Sequence, residues 1–253
     1  MKNILFLFDI DGTLTLPRKV IGDEMKNKLL GIKNTKIADV NISIGVVGGS
    51  DLPQQREQLE DAWDYFDYQF SENGLIYYKD GVFIESTSFV NYLGQDKMNE
   101  LIDICLEILS RTKCPEKTGT FIESRSGMLN ISPVGRSCTD QQRLRFFEYD
   151  NIHHVRDEIK KEIEVRFAYK NNIKISIGGQ ISMDIFPNGW DKTFCLKYVA
   201  GDFDEIHFFG DRTEVGGNDY EIFHDKRVIG HTVTDPIDTI RQIDAIINTC
   251  SNN

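Results

Sequence analysis

An unbroken apolar run, Ile4–Phe8, leads directly into the segment Asp9-Ile10-Asp11-Gly12-Thr13-Leu14-Thr15, and this junction constrains the fold more than any other feature. Because the run does not alternate polar and apolar residues, it predicts a strand buried on both faces. Asp9 and Asp11 follow where that strand ends, and the two-residue period of a strand points both carboxylates to one side. The simplest alternative is a strand that enters an ordinary Asp-Gly turn.

Two carboxylates at such a position repel each other unless a cation or a proton separates them. Gly12 permits a sharp turn and a close backbone approach to a ligand, and Thr13 and Thr15 add hydroxyls. The set suits Mg²⁺ and a phosphate, with one aspartate available to attack phosphorus. The pattern resembles the first motif of the haloacid dehalogenase (HAD) superfamily of phosphoryl-transfer enzymes. The resemblance implies that Asp9 is the nucleophile and Asp11 the general acid/base.

Composition narrows the class of protein. The 253 residues are 40% hydrophobic, enough for one large domain or two modest ones with a real core. The formal net charge of -11 disfavours nonspecific nucleic-acid binding, which needs a basic surface. Five scattered cysteines without a CxxC pair favour reduced thiols in the cytoplasm. The first apolar run is too short for a signal peptide or a membrane span, so we expect no membrane partner.

Strands and helices alternate in the first part of the chain. We expect helices over Asp23–Leu30 and Pro53–Leu59, a strand over Ile42–Val47, and a return to the sheet over Tyr65–Phe70. The polar segment Lys33–Asn41 is expected to be a surface loop. This alternation predicts a doubly wound parallel sheet, whose ligands gather at the carboxyl ends of the strands.

The pattern changes after about Phe83. Helical spacing over Met98–Leu109 and Val155–Phe167 is interleaved with short strands, one of them at Ile173–Ile177. We therefore expect an inserted domain. The predicted fold is α/β, with a Rossmann-like HAD core containing a parallel sheet (residues 1–84 and 188–253) and an inserted α+β cap containing an antiparallel sheet (residues 85–187).

After the insertion, a helix is expected over Thr193–Val199 and an apolar strand over Glu205–Phe209, followed at once by Gly210 and Asp211. A short strand at Val228–Gly230 and a helix over Pro236–Ile247 complete the predicted core.

Six polar residues from four segments of the core fall at predicted strand ends or in the adjoining loops: Asp9, Asp11, Ser50, Lys192, Asp211 and Asp219. Their order matches the four motifs of the HAD superfamily. Carboxylates hold Mg²⁺, and Mg²⁺ together with a lysine offsets the charge of a phosphoryl group. Taken singly, each has a plainer explanation: Ser50 as a helix N-cap, Lys192 as a solvated helix residue, and Asp219 as a turn residue.

The insertion contributes three arginines, Arg125, Arg136 and Arg143. Guanidinium groups bind phosphate oxygens in a bidentate way that lysine cannot, although a solvated surface position is the usual fate of an arginine. The stretches RSGMLNISPVGRSC (125–138), GGQISMDIFPNGWDK (178–192) and GDRTEVGGND (210–219) resemble the eukaryotic-type phosphomannomutases.

That resemblance implies an enzyme that interconverts mannose 6-phosphate and mannose 1-phosphate through an aspartyl phosphate, for GDP-mannose synthesis. It also implies a hexose 1,6-bisphosphate that charges the nucleophile, and a homodimer formed through the cap. It assigns Mg²⁺ to Asp9, the main-chain carbonyl of Asp11 and Asp211, with Asp219 in the same acidic group. The sugar-phosphate ligands are implied to be Arg18, Arg125, Arg136, Arg143, Ser182 and Asp184.

The resemblance also implies a second ion site at Phe223 and Asp225, whose third position usually holds threonine but is Val228 here. A main-chain carbonyl could replace the hydroxyl, so that site stays open. Two other functions stay open as well: a HAD-type sugar-phosphate phosphatase, and a catalytically idle sugar-phosphate sensor or scaffold. The preference between mannose and glucose phosphates does not follow from the sequence.

Overall fold

The computed structural model describes residues 1–35 and 37–251. The chain divides into two compact units. The first unit combines Met1–Ser86 with Gly189–Asn253, and the second unit is Thr87–Asn188.

The first part of the chain supplies five strands and two helices to the first unit. In chain order they are β1 (Lys2–Phe8), α1 (Asp23–Asn34), β2 (Val40–Val47), α2 (Leu52–Leu59), β3 (Tyr68–Ser71), β4 (Ile76–Lys79) and β5 (Val82–Ser86). Helix α2 begins with a proline in its first turn, and the side chain of Asp51 caps it by accepting from the Gln54 backbone N–H at 3.0 Å.

The second unit contains five helices and four strands. In chain order they are α3 (Phe89–Leu93), α4 (Gln95–Arg111), β6 (Ile122–Ser124), β7 (Leu129–Ile131), α5 (Asp140–His153), α6 (Val155–Ile163), α7 (Tyr169–Asn171), β8 (Ile173–Gly178) and β9 (Ser182–Pro187). The chain then returns to the first unit with β10 (Glu205–Gly210), α8 (Tyr220–Phe223), β11 (Ile229–Thr232) and α9 (Pro236–Ser251).

The sheet of the first unit has the order β11-β10-β1-β2-β3-β4-β5. Strand β1 pairs in parallel with both β2 and β10, and β4 and β5 join the edge as antiparallel strands. Ile4, Phe6 and Phe8 pack into one apolar cluster while Leu5 and Leu7 pack into another. Strand β1 is therefore buried on both faces, as its uninterrupted apolar sequence predicts.

The sheet of the second unit has the order β6-β7-β9-β8, and all of its described pairs are antiparallel. Successive side chains of each strand point to opposite faces of this sheet, and Ile131, Met183 and Ile185 are buried on one of them. The opposite face, called the polar face below, carries Glu123 and Asp184, among other polar residues. The predicted α/β class is confirmed: the first unit's sheet is parallel except for β4 and β5 at its edge, and the second unit has a separate antiparallel sheet.

Several predicted elements differ in detail. Helix α5 was not predicted, because few of its side chains are apolar and buried; a capping box formed by Thr139 and Gln142 starts it instead. The expected helix Thr193–Val199 is a 3₁₀ segment, Lys192–Tyr198. The expected helix Val155–Phe167 is α6 followed by one wider helical turn.

The edge strands β4 and β5 were not predicted, and the expected strand Tyr65–Phe70 begins only at Tyr68. The expected loop Lys33–Asn41 is shorter, since α1 continues to Asn34 and β2 begins at Val40; its residue Lys36 lies outside the described residues. Within the described part of the chain, no helix is both long and apolar enough to span a bilayer.

Candidate active site

Three carboxylates meet at one edge of the first unit's sheet. One oxygen from each of Asp9, Asp211 and Asp219 lies within 4.8 Å of the others. Asp9 directly follows β1 and Asp211 directly follows β10, and these parallel neighbours end side by side. Glycines leave the necessary space: a Cβ at Gly12 would collide with the Asp211 carboxylate, and one at Gly210 would lie 2.7 Å from Asp219 Cγ.

Lys192 neutralises part of this charge from within the core. Its side chain is 1% exposed and its ammonium group forms ion pairs with both Asp9 and Asp219. Burial alone would lower the pKa of Lys192, but the two carboxylates together raise it above its usual value. Lys192 is therefore a fixed cation shared by two carboxylates. It is not the solvated residue that a lysine usually is.

Two carboxylate oxygens in this group have no neutralising contact. Among the described residues, Asp9 Oδ2 and Asp211 Oδ1 are buried without a hydrogen-bond partner. Burial raises the pKa of Asp9 to about 7 although Lys192 opposes the shift, and burial together with Asp219 raises the pKa of Asp211. Buried oxygens of this kind are costly unless something binds them. The oxygen-only donor set fits a hard divalent cation such as Mg²⁺.

Asp11 takes a different role from these three. Its Oδ1 accepts from the backbone N–H of Arg18 at 2.7 Å and from Gln58 Nε2 at 2.8 Å. Arg18 itself is exposed and has a positive φ of 59°. Gln58 was not predicted, since only its burial on α2 distinguishes it from a surface glutamine.

Ser50 is not the cap of the following helix, because Asp51 fills that position. The backbone around Ser50 is held by Gln55, whose Nε2 donates to the carbonyls of Gly48 and Ser50, at 3.0 Å each. Gln55 is fully buried and, like Gln58, was not predicted. The two glutamines lie three residues apart on the buried side of α2 and fix two of the predicted site segments.

In the second unit, Arg125 and Arg136 share one carboxylate. Glu123 accepts from Arg125 Nε at 3.0 Å and forms an ion pair with Arg136, whose Nε lies 2.6 Å from Glu123 Oε2; we call these three residues the Glu123 cluster. All three side chains are 36–38% exposed. Arg143 lies in the first turn of α5, half-buried, and takes no part in the pairs with Glu123.

The predicted sugar-phosphate ligands Ser182 and Asp184 lie on β9. Asp184 Oδ1 accepts from Asn130 Nδ2 at 2.6 Å, and the same Asn130 accepts from Arg136 Nη1 at 3.0 Å. The Ser182 carbonyl accepts from Arg156 at 3.3 Å. Glu123 and Asn130 were not predicted. Asn130 belongs to the RSGMLNISPVGRSC stretch, so its position there was the available signal.

Comparison with known proteins decides the family. The sequence model described as eukaryotic phosphomannomutase matches residues 32–249. A phosphomannomutase of Triticum aestivum is 48% identical over 244 residues, which cover 96% of this chain and 95% of that protein. One of Saccharomyces cerevisiae is 47% identical over 246 residues, which cover 96% and 94%. The chain belongs to the eukaryotic phosphomannomutase family.

More distant structures share the fold of this phosphomannomutase family member. A trehalose-6-phosphate phosphatase of Aspergillus fumigatus superposes with a TM-score of 0.65 at 16% identity, covering 100% of this chain and 94% of that one. A Streptococcus mutans protein superposes with a TM-score of 0.64 at 15% identity, covering 96% and 98%. At such identities the likeness extends to the fold alone.

The second ion site implied by the phosphomannomutase resemblance remains a prediction. Asp225 Oδ1 and Oδ2 accept from the Arg227 guanidinium at 2.8 and 2.7 Å, so both oxygens already face a cation. The carbonyl of Asp225 accepts from the Val228 backbone N–H at 3.0 Å. Phe223 ends the short helix α8. An ion that used Asp225 would have to share it with, or displace, Arg227.

Proposed function

We propose that the chain is a phosphomannomutase that interconverts mannose 6-phosphate and mannose 1-phosphate through a phosphorylated Asp9, supplying GDP-mannose synthesis. One observation carries the proposal: the carboxylates of Asp9, Asp211 and Asp219 converge, and Lys192 pairs with Asp9 and Asp219. Two buried oxygens of this group have no hydrogen-bond partner among the described residues. Such a group suits phosphoryl transfer, in which positioning and charge stabilisation supply most of the catalysis. Near-full-length identity of about 48% to phosphomannomutases supports this choice of substrate.

Asp9 is suited to attack phosphorus because its side chain is held rigidly. Its Oδ1 is fixed by Lys192, which leaves Oδ2 as the oxygen without a partner. We assign the nucleophilic attack to Oδ2. When Asp9 forms the aspartyl phosphate, Lys192 remains bound to Asp219 and offsets the added negative charge from inside the core.

Asp11 is suited to general acid/base work. Its carboxylate stays half-exposed, and its Oδ1 is oriented by Gln58 and by the Arg18 backbone. We assign it protonation of the departing sugar oxygen and, in the return step, deprotonation of the accepting hydroxyl. Ser50, placed by Gln55, is assigned a phosphate contact.

Asp9, Asp211 and the main-chain carbonyl of Asp11 would hold Mg²⁺, with Asp219 in the same group. When bound, the ion would supply positive charge for the phosphoryl oxygens. The fit rests on the buried Asp211 Oδ1, which has no hydrogen-bond partner among the described residues, and on a donor set made only of oxygens.

We assign the second unit to recognition of the sugar phosphate. Arg125 and Arg136 present two guanidinium groups to one anion, now the carboxylate of Glu123, and would present them to a phosphate in the same way. Arg18 and Arg143 are assigned to the same ligand, and Ser182 and Asp184 to the ring hydroxyls. A hexose 1,6-bisphosphate must present first one phosphate and then the other to Asp9. Arginines that bind either phosphate would hold the one that is not reacting.

The deciding experiment follows two products at once. Purified protein with Mg²⁺, mannose 6-phosphate and catalytic hexose 1,6-bisphosphate should form mannose 1-phosphate with little free phosphate. Stoichiometric phosphate release without the isomer would establish the sugar-phosphate phosphatase instead. Binding of the sugar phosphate with neither product would establish a sensor. Glucose 1-phosphate as a parallel substrate would measure the preference between epimers.

Two further properties belong to the proposal. The five cysteines, all free thiols, support a reducing compartment such as the cytoplasm. The family resemblance supports a homodimer through the second unit. Light scattering should then give a mass of twice 29.1 kDa, and a mass of one chain would contradict it.

A further inference from the structure

A row of polar side chains crosses the polar face of the second unit's sheet. The strand register places Glu123 opposite Asn130, Asn130 opposite Asp184, and Asp184 opposite Ser176. Directly opposed residues on one face of an antiparallel sheet are near enough to interact. The row therefore links the strand beside the Glu123 cluster to the strand that carries Asp184.

Asn130 occupies the centre of this row and differs from its neighbours in burial. It is 3% exposed, whereas the Glu123 side chain is 36% exposed. Its Oδ1 accepts from Arg136 Nη1 at 3.0 Å and its Nδ2 donates to Asp184 Oδ1 at 2.6 Å. Both ends of the amide are thus used, on one side by a cation and on the other by an anion.

The contacts at this position need a side chain that both accepts and donates, as an amide does. A side chain here must accept from a guanidinium and donate to a carboxylate, and a carboxylate could accept but not donate. Aliphatic side chains could do neither. Both partners are residues that the proposed function assigns to the substrate: Arg136 to its phosphate and Asp184 to its ring.

We infer that Asn130 is a positioning residue that fixes the Arg136 guanidinium and the Asp184 carboxylate relative to each other for sugar-phosphate binding. The inference rests on the proposed function, which supplies the roles of its two partners. Beyond the proposed function, the inference says that Asn130 fixes the distance between the phosphate-binding Arg136 and the ring-binding Asp184.

The sharpest variant is Asn130→Asp, which keeps the shape and the contact with Arg136 but replaces the donor facing Asp184 by a second carboxylate. The charged groups around it are Asp184 on β9, Glu123 on β6 and Arg136 beyond β7, with Lys174 on the same face of β8. At pH 8 the dissociation constant for mannose 6-phosphate, measured by calorimetry, should rise by about 10- to 100-fold.

Two further readouts separate positioning from mere structure. Phosphorylation of the protein by acetyl phosphate should stay within about twofold of wild type, because that donor has no sugar ring and no distal phosphate. On acidification from pH 8 to pH 6, the ratio of variant to wild-type dissociation constants should fall, since one proton shared between the introduced carboxylate and Asp184 restores a donor.

Asn130→Ala guards against misfolding of the aspartate variant. It should also weaken binding, but its ratio to wild type should not change with pH. Asn188→Asp is the matched control, because Asn188 is exposed in the same unit and its side chain donates to Asn172 at 2.8 Å. It should bind like wild type.

Sugar-phosphate affinity within twofold of wild type in both Asn130 variants would overturn the inference, and so would equal losses with acetyl phosphate. Because calorimetry needs no turnover, the two proposals fail separately. A wild-type protein that binds mannose 6-phosphate but forms no isomer refutes the proposed function, and the variant ratios then still decide the role of Asn130. A wild-type protein that does not bind it refutes both.

Discussion

Two charge clusters of this chain, one around Lys192 and one around Glu123, have opposite arrangements of charge and differ in burial. In the first unit one cation, Lys192, is shared by two carboxylates, and all three side chains are at most 5% exposed. In the second unit one carboxylate, Glu123, is shared by two guanidinium groups, and all three side chains are more than one-third exposed. The buried cluster is closed to water, whereas the Glu123 cluster is open to it, as the proposed exchange of its carboxylate for a phosphate requires.

We interpret this difference in burial as a difference between the proposed reaction in the first unit and the proposed recognition of the sugar phosphate in the second. Breaking a buried ion pair leaves an uncompensated charge and costs about 3–5 kcal/mol, whereas an exposed pair contributes about 0–1 kcal/mol. A group that reacts with phosphorus benefits from a rigid, dry setting. Arginines that bind and release a substrate benefit when their ion pair in the free protein is weak, as the exposed pairs with Glu123 are. Substitutions in the first unit should therefore affect stability and reaction, and those in the Glu123 cluster mainly affinity.

The largest effect should come from Asp9→Asn. The amide cannot act as the nucleophile, so turnover of mannose 6-phosphate should fall by at least about 10³-fold. A coupled assay for mannose 1-phosphate measures it. Asp23→Asn, on the exposed first turn of α1, is the control and should keep wild-type turnover. Intact turnover in Asp9→Asn would remove Asp9 from the nucleophile's role.

Lys192→Met should cause the largest loss of stability. It leaves Asp9 and Asp219 buried without their shared cation, which should lower the free energy of unfolding at neutral pH by about 3–5 kcal/mol. Urea denaturation followed by fluorescence measures this. Lys197→Met on the same 3₁₀ segment is matched, since Lys197 is 43% exposed and contacts Glu85 at 3.7 Å. If the two variants lost equal stability, burial would not distinguish the clusters.

Arg136→Ala should change affinity more than stability. The Michaelis constant for mannose 6-phosphate should rise about 10- to 100-fold because a charged hydrogen bond to the phosphate is lost. The free energy of unfolding should change by less than the roughly 3–5 kcal/mol expected for Lys192→Met, because the pair with Glu123 is exposed and the only buried group among the described residues that loses a contact is the uncharged Asn130. Arg145→Ala removes an exposed ion pair with Glu116 in the same unit and should leave the constant unchanged. A large loss of stability in Arg136→Ala would contradict the exchangeable character of the Glu123 cluster.

The smallest effect concerns two histidines outside both clusters. His207 Nδ1 and His231 Nε2 lie 2.8 Å apart on β10 and β11. Burial, with a smaller effect of His207, lowers the pKa of His231 to about 4, and burial lowers that of His207. Between pH 7 and pH 5 the unfolded chain therefore binds protons that the folded chain does not. The free energy of unfolding accordingly decreases as the pH is lowered from 7 to 5.

His231→Gln should remove about 1 kcal/mol of that pH-dependent loss, after allowance for solvent screening. Urea midpoints of wild type and variant at pH 7 and pH 5 measure the difference. His153→Gln, in the last turn of α5, is the control. An identical pH dependence in wild type and His231→Gln would show that the imidazole pair does not titrate as described.

The fold was predictable where local sequence and long-range packing agree. The run Ile4–Phe8 has only one way to bury every side chain, and Gly210 and Asp211 repeat its strand-end pattern. Helix α5 could not be predicted from apolar periodicity, because few of its side chains are both apolar and buried. Its start is determined by a capping box instead. The 3₁₀ form of Lys192–Tyr198 escaped because its apolar spacing is equally consistent with an α-helix.

The site was predictable in its charged residues and not in the residues that orient them. Asp9, Lys192 and Asp211 stand in recognisable motifs, whereas Gln55 and Gln58 are identified only by burial on α2. The role of Arg136 as a phosphate ligand stays a prediction, whereas its observed contacts with Glu123 and Asn130 depend on which strands of the second unit are neighbours. Strand order is a long-range property that neither composition nor periodicity contains.

Labelling Asp9 from two donors tests the division between reaction and recognition most directly. Wild type, Asp9→Asn and Arg136→Ala are each incubated with Mg²⁺ and either acetyl phosphate or a hexose 1,6-bisphosphate, and the phosphate on the protein is mapped by mass spectrometry. We expect Asp9→Asn to lose label from both donors and Arg136→Ala to lose it only from the bisphosphate. Label on Asp9→Asn, or equal losses from both donors in Arg136→Ala, would contradict the division.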